Sequence, residues 1–319
     1  MKHRTAWVAM LVLALLFAGG CDSSGNLVST TVPSGNEASA SVVSSDRPTF
    51  GIIYPMAHPF YEMITGHAKE AAAEAGAQLI VKAPDEANLE QQIRMMETMI
   101  SQKVDGIAID PVDRSALNPV IDKAVSAGIP VICFESDAPG SKRLSYIGSD
   151  NEEAGKRMGQ LLSGLLEGKG MVMMETGMAE MTSMSERLRG LLDYLNDSTE
   201  IQVLEVRYNE GKETAALSHL EEMIESHPHF DAFVALDVMS GSASVHVWKA
   251  SGLNRYALAF GLMPEIQQAM DNGQITAVVS QHEQLWGERI VGRLLDASRG
   301  IAIPPFDDMG LEEVQGIGQ

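Results

Sequence analysis

The chain has 319 residues, of which 45% are hydrophobic and 21% charged, and its formal net charge is −20. A chain of that length holds about two domains with a core that needs no disulfide staples, and that acidity excludes a nucleic-acid partner, which needs a basic face. Cys21 and Cys133 are its two cysteines.

The chain opens with "MKHRTAWVAMLVLALLFAGGC". Lys2, His3 and Arg4 precede a short apolar stretch at 6–17, and small residues follow. This reads as a secretory signal over residues 1–20, too short for a comfortable membrane span. The ending "FAGGC" resembles the lipobox of bacterial lipoproteins, and the resemblance makes Cys21 the lipidated residue. The competing reading is an ordinary cleaved signal with Cys21 incidental. If Cys21 is acylated, no intrachain disulfide can form, and Cys133, which ends an apolar run, is expected to be a buried free thiol. Residues 21–47 are rich in serine with no apolar period. They read as a flexible tether spanning roughly 28 Å, so membrane contact is expected through the lipid anchor only.

From Pro48 onward, short β-rich runs alternate with helical periods. "TFGII" leads to a helix near 60–76, and "AQLIVKA" to one at 88–102 with Leu89, Ile93, Met96 and Ile100 on one face. "GIAID" leads to a helix near 115–127, and "PVICFE" follows. The rhythm restarts after Asp150. A helix near 152–166 leads to "MVMME", a helix near 183–195 to "IQVLEV", and a helix near 214–226 to "DAFVAL". Then come a helix near 240–250, "YALAFG", "ITAVVS" and a last helix near 285–298, expected to turn Leu285, Trp286, Val291, Leu294 and Leu295 inward. Nearly continuous apolar strands at βαβ spacing predict two doubly wound parallel sheets, an α/β fold. Ligands of such sheets lie outside the carboxyl ends of the strands. "HPFY" (58–61), "FES" (134–136), the loop from Met178, Asp237 and Gln281 all fall there.

Motifs of catalysis are wanting. "SGSAS" lacks the glycines of a nucleophile elbow. "GLLEGKG" has the wrong spacing for a phosphate loop and precedes a strand, and "HEQLW" puts Trp286 where a zinc motif needs its second His. No enzyme, cofactor or metal set is therefore expected. Methionine is abundant at 19 residues. Met171, Met173 and Met174 read as strand core. Met178, Met181 and Met184 either pack the next loop or present an adaptable apolar surface to a ligand, and thioethers can also hold Cu(I). "HPH" (227–229) reads as a solvated turn.

From Thr49 to about Val314 the chain resembles the bacterial periplasmic sugar-binding proteins of the ribose-binding type, which share their fold with the ligand-binding core of lactose-repressor-like regulators. The stretches that carry this are "HPFYEMITGHAKEAAAEAG", "VDGIAIDPVDRSALNPVIDKAVSAGIPVICFES", "YIGSDNEEAG", "SERLRGLLDYL", "FDAFVALD" and "MDNGQITAVVSQ", in the family's order. A secretion signal stands where a repressor has its DNA-binding helices. The resemblance implies two lobes, 48–149 plus 282–309 and 150–281 plus 310–319. Three crossings would join them, near 149–150, 281 and 309–311, with a ligand between the lobes and hinge closure around it. It implies ligand contacts residue by residue. Phe60 and Tyr61 occupy the places of rings that pack on the apolar face of a sugar; the alternative is that they staple the helix start to the core. His58 stands where the family commonly has Asn, and Glu135 at its acidic hydroxyl-binding position. Arg187 matches the cleft Arg, Asp237 a common Asn or Asp, and Gln281 the hinge-side Gln. Ser136 replaces an Arg and Gly261 an Asp. Ser136 and Met184 complete the expected ligand-binding set.

The loss of those two anchors predicts a ligand with fewer hydroxyls than ribose or a different shape: a deoxysugar, cyclic polyol, furanone-like signal or nucleoside. The expected function is a monomeric extracytoplasmic lipoprotein that delivers a carbohydrate-like solute to an ABC importer. The alternative is a sensory component coupled to a membrane kinase or chemoreceptor.

Overall fold

The computed structural model describes residues 47–316. The signal segment, Cys21 and the tether up to residue 46 lie outside the described residues, as do 317–319.

Two six-stranded α/β sheets form two lobes. The first contains β1 (Thr49–Ile53), β2 (Gln78–Lys82), β3 (Gly106–Ile109), β4 (Val131–Phe134), β5 (Ser145–Gly148) and β11 (Phe306–Asp308), in the order β11-β5-β4-β3-β1-β2, all parallel. The second contains β6 (Lys169–Thr176), β7 (Glu200–Tyr208), β8 (Ala232–Ala235), β9 (Tyr256–Phe260), β10 (Ala277–Ser280) and β12 (Glu312–Gln315), in the order β12-β10-β9-β8-β6-β7. Only β12 runs antiparallel, against β10. The α/β expectation of two doubly wound parallel sheets is therefore met, with one reversed edge strand.

The chain leaves the first sheet after β5, comes back after β10, and leaves again between β11 and β12. The first and last of these passages are tied together: Ser149 Oγ donates to Gly310 O (2.9 Å) and Met309 N to Gly148 O (2.8 Å).

Helix signals act locally. α1 (Pro59–Glu74) starts on His58, whose Nδ1 accepts the Phe60 N–H, with proline at the first turn. α2 (Leu89–Gln102) starts on Asn88 and ends on Lys103 at φ 54°. Its deepest stripe is Gln92, Met96 and Met99. Leu89, Ile93 and Ile100 are half-buried flanks, because buried Gln92 is drawn in by hydrogen bonds. Its amide donates to Tyr54 O (3.2 Å) and Asp110 O (2.7 Å) and accepts from Val112 N (3.1 Å), lashing together the loops after β1 and β3. α3 (Asn118–Ser126) starts three residues later than the sequence suggests, because Asp113 Oδ1 gathers the N–H groups of Ser115 and Ala116 (both 2.8 Å) into a turn.

In the second lobe, α4 (Asn151–Leu165) and α5 (Thr182–Ser198) cross at two glycines. A Cβ on Gly155 would collide with Arg187 O, and one on Gly190 with Glu152 O. The remaining helices are α6 (Glu213–Ser226), α7 (Val238–Ser251), α8 (Pro264–Asp271) and α9 (Trp286–Ser298). Leu285 corrects one expectation. It is 46% exposed, because a 3₁₀ turn at Glu283–Leu285 precedes α9 and leaves Trp286 to be the buried anchor. Cys133 is a buried free thiol in β4, as expected.

Candidate ligand-binding site

The strands of both sheets end toward a common seam. From the first lobe come His58, Phe60 and Tyr61 at the start of α1, Asp110 after β3, and Glu135 and Ser136 after β4. From the second come Glu175 and Thr176 at the end of β6, Met184 and Arg187 on α5, and Asp237 after β8; Gln281 follows β10 in the return passage. All nine residues expected at the site are buried, His58 being the most exposed at 9%.

The lobes touch along this seam. Arg114 N donates to Glu180 O (3.1 Å) and Arg114 Nη2 to Ala179 O (3.0 Å), Thr182 Oγ1 donates to Asp137 O (2.7 Å), and Ser183 N donates to Ser136 Oγ (3.2 Å). Ser136 thus uses its hydroxyl to join the lobes.

Arg187 is the electrostatic centre. Its Nη1 donates to Leu236 O (2.6 Å) and its Nη2 to Asn151 Oδ1 (2.7 Å), and Nη2 lies 3.5 Å from Glu135 Oε1. The guanidinium carbon sits 3.4 Å from the centroid of Phe260, a cation–π stack, and Nη1 also approaches Met184 Sδ at 3.7 Å. Burial pulls the Arg187 pKa down and the Glu135 carboxylate opposes it.

Glu135 has φ 60°, a left-handed conformation that costs a residue with a Cβ about 1–3 kcal/mol. The strain is held by bonds across the seam, from Ser183 Oγ to Oε2 (3.3 Å) and from Arg187 to Oε1. Asp110 lies close enough that the two carboxyls shift each other. Burial, with the Glu135 charge next, pushes Asp110 well above the carboxylate range, so the proton of the pair rests on Asp110 while Glu135 faces Arg187. Tyr61 OH donates to Asp110 Oδ2 (3.1 Å).

The rings pack into the core, the second of the two readings the sequence allowed. Phe60, Tyr61 and Tyr54 pack together, with centroids 4.8 Å apart for Tyr54–Tyr61 and 5.1 Å for Phe60–Tyr61, and they belong to the core. Tyr61 still offers its hydroxyl to the seam. His58 and Tyr61 also line a surface hollow of about 500 Å³ beside α1. Burial lowers the His58 pKa. Its Nδ1 accepts from Phe60 N (3.2 Å), so the neutral ring carries its proton on Nε2. Asp237 caps α7, accepting from Met239 N (3.1 Å), Ser240 N (3.3 Å) and Asn209 Nδ2 (3.1 Å). Five buried polar atoms here have no partner: Asp110 Oδ1, Glu175 Oε2, Thr176 Oγ1, Arg187 Nε and Gln281 Oε1. Donors and acceptors left bare at a seam between two lobes are what a polar ligand satisfies.

The periplasmic binding protein domain profile matches residues 51–300, most of the chain and both lobes. The chain belongs to the periplasmic binding protein family. Among curated members, the ribose import binding protein of Bacillus subtilis (strain 168) is 24% identical over 233 residues, 72% of this chain and 75% of that protein. The D-apiose import binding protein of Paraburkholderia graminis is 24% identical over 286 residues, 88% and 84% of the two chains. The crystal structure of an ABC transporter solute-binding protein from Burkholderia graminis in complex with D-arabinose superposes with a TM-score of 0.80 at 27% identity, covering 84% of this chain and 95% of that one.

Within this periplasmic binding protein, sequence reasoning passed over Asp110, Tyr54, Asn151, Glu175 and Asn209. Asp110 and Tyr54 are the first residues beyond apolar strands and Asn209 the first beyond the mixed strand β7, so the strand-end rule that pointed to Asp237 also points to them. Asn151 and Glu175 carry no such mark. Gly261 leaves room that another residue partly fills: Glu283 Oε1 stands 3.6 Å from where its Cβ would be.

Glu175 makes a pH prediction. Its Oε1 lies 3.0 Å from His219 Nδ1, and burial, reinforced by Asp237, pushes its pKa up to about 9. The folded state therefore binds a proton that the unfolded state releases near the ordinary carboxyl value of 4.5, so this residue's contribution to stability declines as pH rises from there toward 9. Glu175→Gln, which never ionises, is expected to gain melting temperature over the parent steadily between pH 5 and pH 8.5. A gap that stays level across thermal melts in that range means that the Glu175 pKa is ordinary.

Proposed function

We propose that this chain is an extracytoplasmic solute-binding protein, anchored through lipidated Cys21, that closes around a small sugar or sugar-like ligand and delivers it to an ABC importer. The observation that carries this reading is the interlobe seam itself, where buried polar atoms from both lobes and the return passage stand unpaired beside a cluster of aromatic rings. His58, Phe60, Tyr61, Glu135, Met184, Arg187, Asp237 and Gln281 are the proposed ligand contacts, and Ser136 acts by joining the lobes. A ligand that touches both lobes favours the closed state by its differential affinity. The curated relatives, named for ribose and D-apiose import, support the sugar class, and the match spans both lobes.

A thermal-shift screen of the mature protein, unfolded and refolded to strip any resident solute, tests it. Pentoses, hexoses, deoxysugars and cyclic polyols form the panel. A ligand at a thousand times its dissociation constant stabilises by about 4 kcal/mol, which raises the melting temperature by roughly 8–16 °C at this size. A panel with no shift above 2 °C removes the sugar reading.

A further inference from the structure

Five carboxyls are buried around the seam and the return passage: Asp110, Glu135, Glu175, Asp237 and Glu283, none more than 4% exposed. Arg187 is the one buried Lys or Arg among the described residues. An ionised carboxylate taken out of water needs a cation or several donors, or it stays protonated. Three of the five have such company. Glu135 has Arg187 and Ser183. Glu175 meets His219 but keeps its proton at neutral pH. Asp237 has Asn209, the Ser240 hydroxyl and two N–H groups at the start of α7. Glu283 has the Ser280 hydroxyl (2.7 Å) and Gln281 N (3.0 Å).

Asp110 has Tyr61 OH on Oδ2, with the Glu135 carboxyl and Ser136 N–H as weaker neighbours, no cation among them, and no hydrogen bond on Oδ1. It is also rigidly placed, since Gln92 fixes its carbonyl. Its neighbour Glu135 has already taken the only guanidinium. We propose that the ligand carries a protonated amine, as an amino sugar or amino-cyclitol does, and that Asp110 is the carboxylate that receives it. This rests on the solute-binding reading above.

A hydroxyl leaves Asp110 holding its proton. An ammonium takes that proton's place with a charge-assisted bond and keeps the Asp110–Glu135–Arg187 group neutral. An ammonium has three donors, and Gln281 Oε1 is a second bare acceptor among the proposed contacts. The Tyr54–Tyr61 ring pair beside Asp110 gives a cation a favourable face as well. The proton that Asp110 holds without such a ligand must leave when the amine docks, so binding releases a proton.

The test is isothermal titration at pH 7 of the refolded protein with matched pairs: glucosamine and glucose, galactosamine and galactose, mannosamine and mannose, 2-amino-2-deoxyribose and ribose, and an amino-inositol and its parent inositol. The expected result is at least one amine that binds ten or more times tighter than its hydroxyl twin, with a binding heat that differs between phosphate and Tris as proton release requires. Asp110→Asn is expected to collapse that ratio to less than threefold. A hydroxyl twin that binds as tightly as its amine overturns the amine assignment and leaves the solute-binding reading standing. No binding in either series, by protein that melts cooperatively, overturns both.

Discussion

Arg187→Ala is expected to destabilise the protein by about 3–5 kcal/mol, which at this chain length lowers the melting temperature by roughly 6–20 °C. The side chain is 1% exposed and serves Leu236 O, Asn151, Glu135 and the face of Phe260 at once. Removing it strands a buried carboxylate beside a second carboxyl, and that stranded charge carries most of the cost. The double variant Arg187→Met with Glu135→Gln is therefore expected to recover part of the loss, because no uncompensated charge is left. Thermal melts of the three proteins decide the matter. A single variant within 2 °C of the parent means that water reaches Glu135 freely.

The second large effect comes from two missing side chains. Gly155→Ala and Gly190→Ala each push a methyl into a carbonyl oxygen of the facing helix, Arg187 O and Glu152 O respectively. Backbone cannot swing aside as a side chain can, so α4 and α5 must separate, at a cost of about 1–3 kcal/mol for each methyl. The two substitutions should differ in function. Gly155 presses on the residue that carries the guanidinium, so Gly155→Ala is expected to weaken ligand binding tenfold or more, whereas Gly190→Ala acts mainly on stability. Gly164, also in α4, has open space where its Cβ would lie, and Gly164→Ala is expected to be neutral or stabilising by up to about 1 kcal/mol. Melting temperatures and titration of the same three variants separate these outcomes. Equal binding by the Gly155 and Gly190 variants would break the link between the helix crossing and Arg187.

The alternation of apolar strands and amphipathic helices made the two parallel sheets legible, because strands covered on both faces leave an unmistakable run such as "GIAI" or "AFVA". The edges were not legible. β11 (FDD) and β12 (EEVQ) are short and polar, and they pair at sheet margins where no apolar signal is needed. α8 is only eight residues long, and β5 (SYIG) has Ser and Gly at its ends in place of an apolar run. At the seam, strand-end position located the region, but individual duties depended on contacts from the other lobe. Nothing local to Ser136 shows that it meets Ser183 N, and nothing local to Arg187 shows that it lies 3.5 Å from Glu135 of the other lobe. Asp110 looked like the polar stop of a strand until Glu135 was placed beside it. Gln92 was hidden for the opposite reason: a glutamine in an apolar stripe contradicts the pattern, and only its three backbone partners explain it.

The paired edge strands β11 and β12 carry a consequence for how the molecule is assembled. Each lobe draws on chain from both sides of a passage, and each sheet receives its outermost strand from the short stretch between residues 306 and 315. During amino-to-carboxyl synthesis both sheets stay one strand short until that stretch emerges. β5 and β10 meanwhile present unpaired edges, the surfaces most open to wrong partners. Ten residues thus finish two lobes together, so both sheets gain their last strand in a single late step.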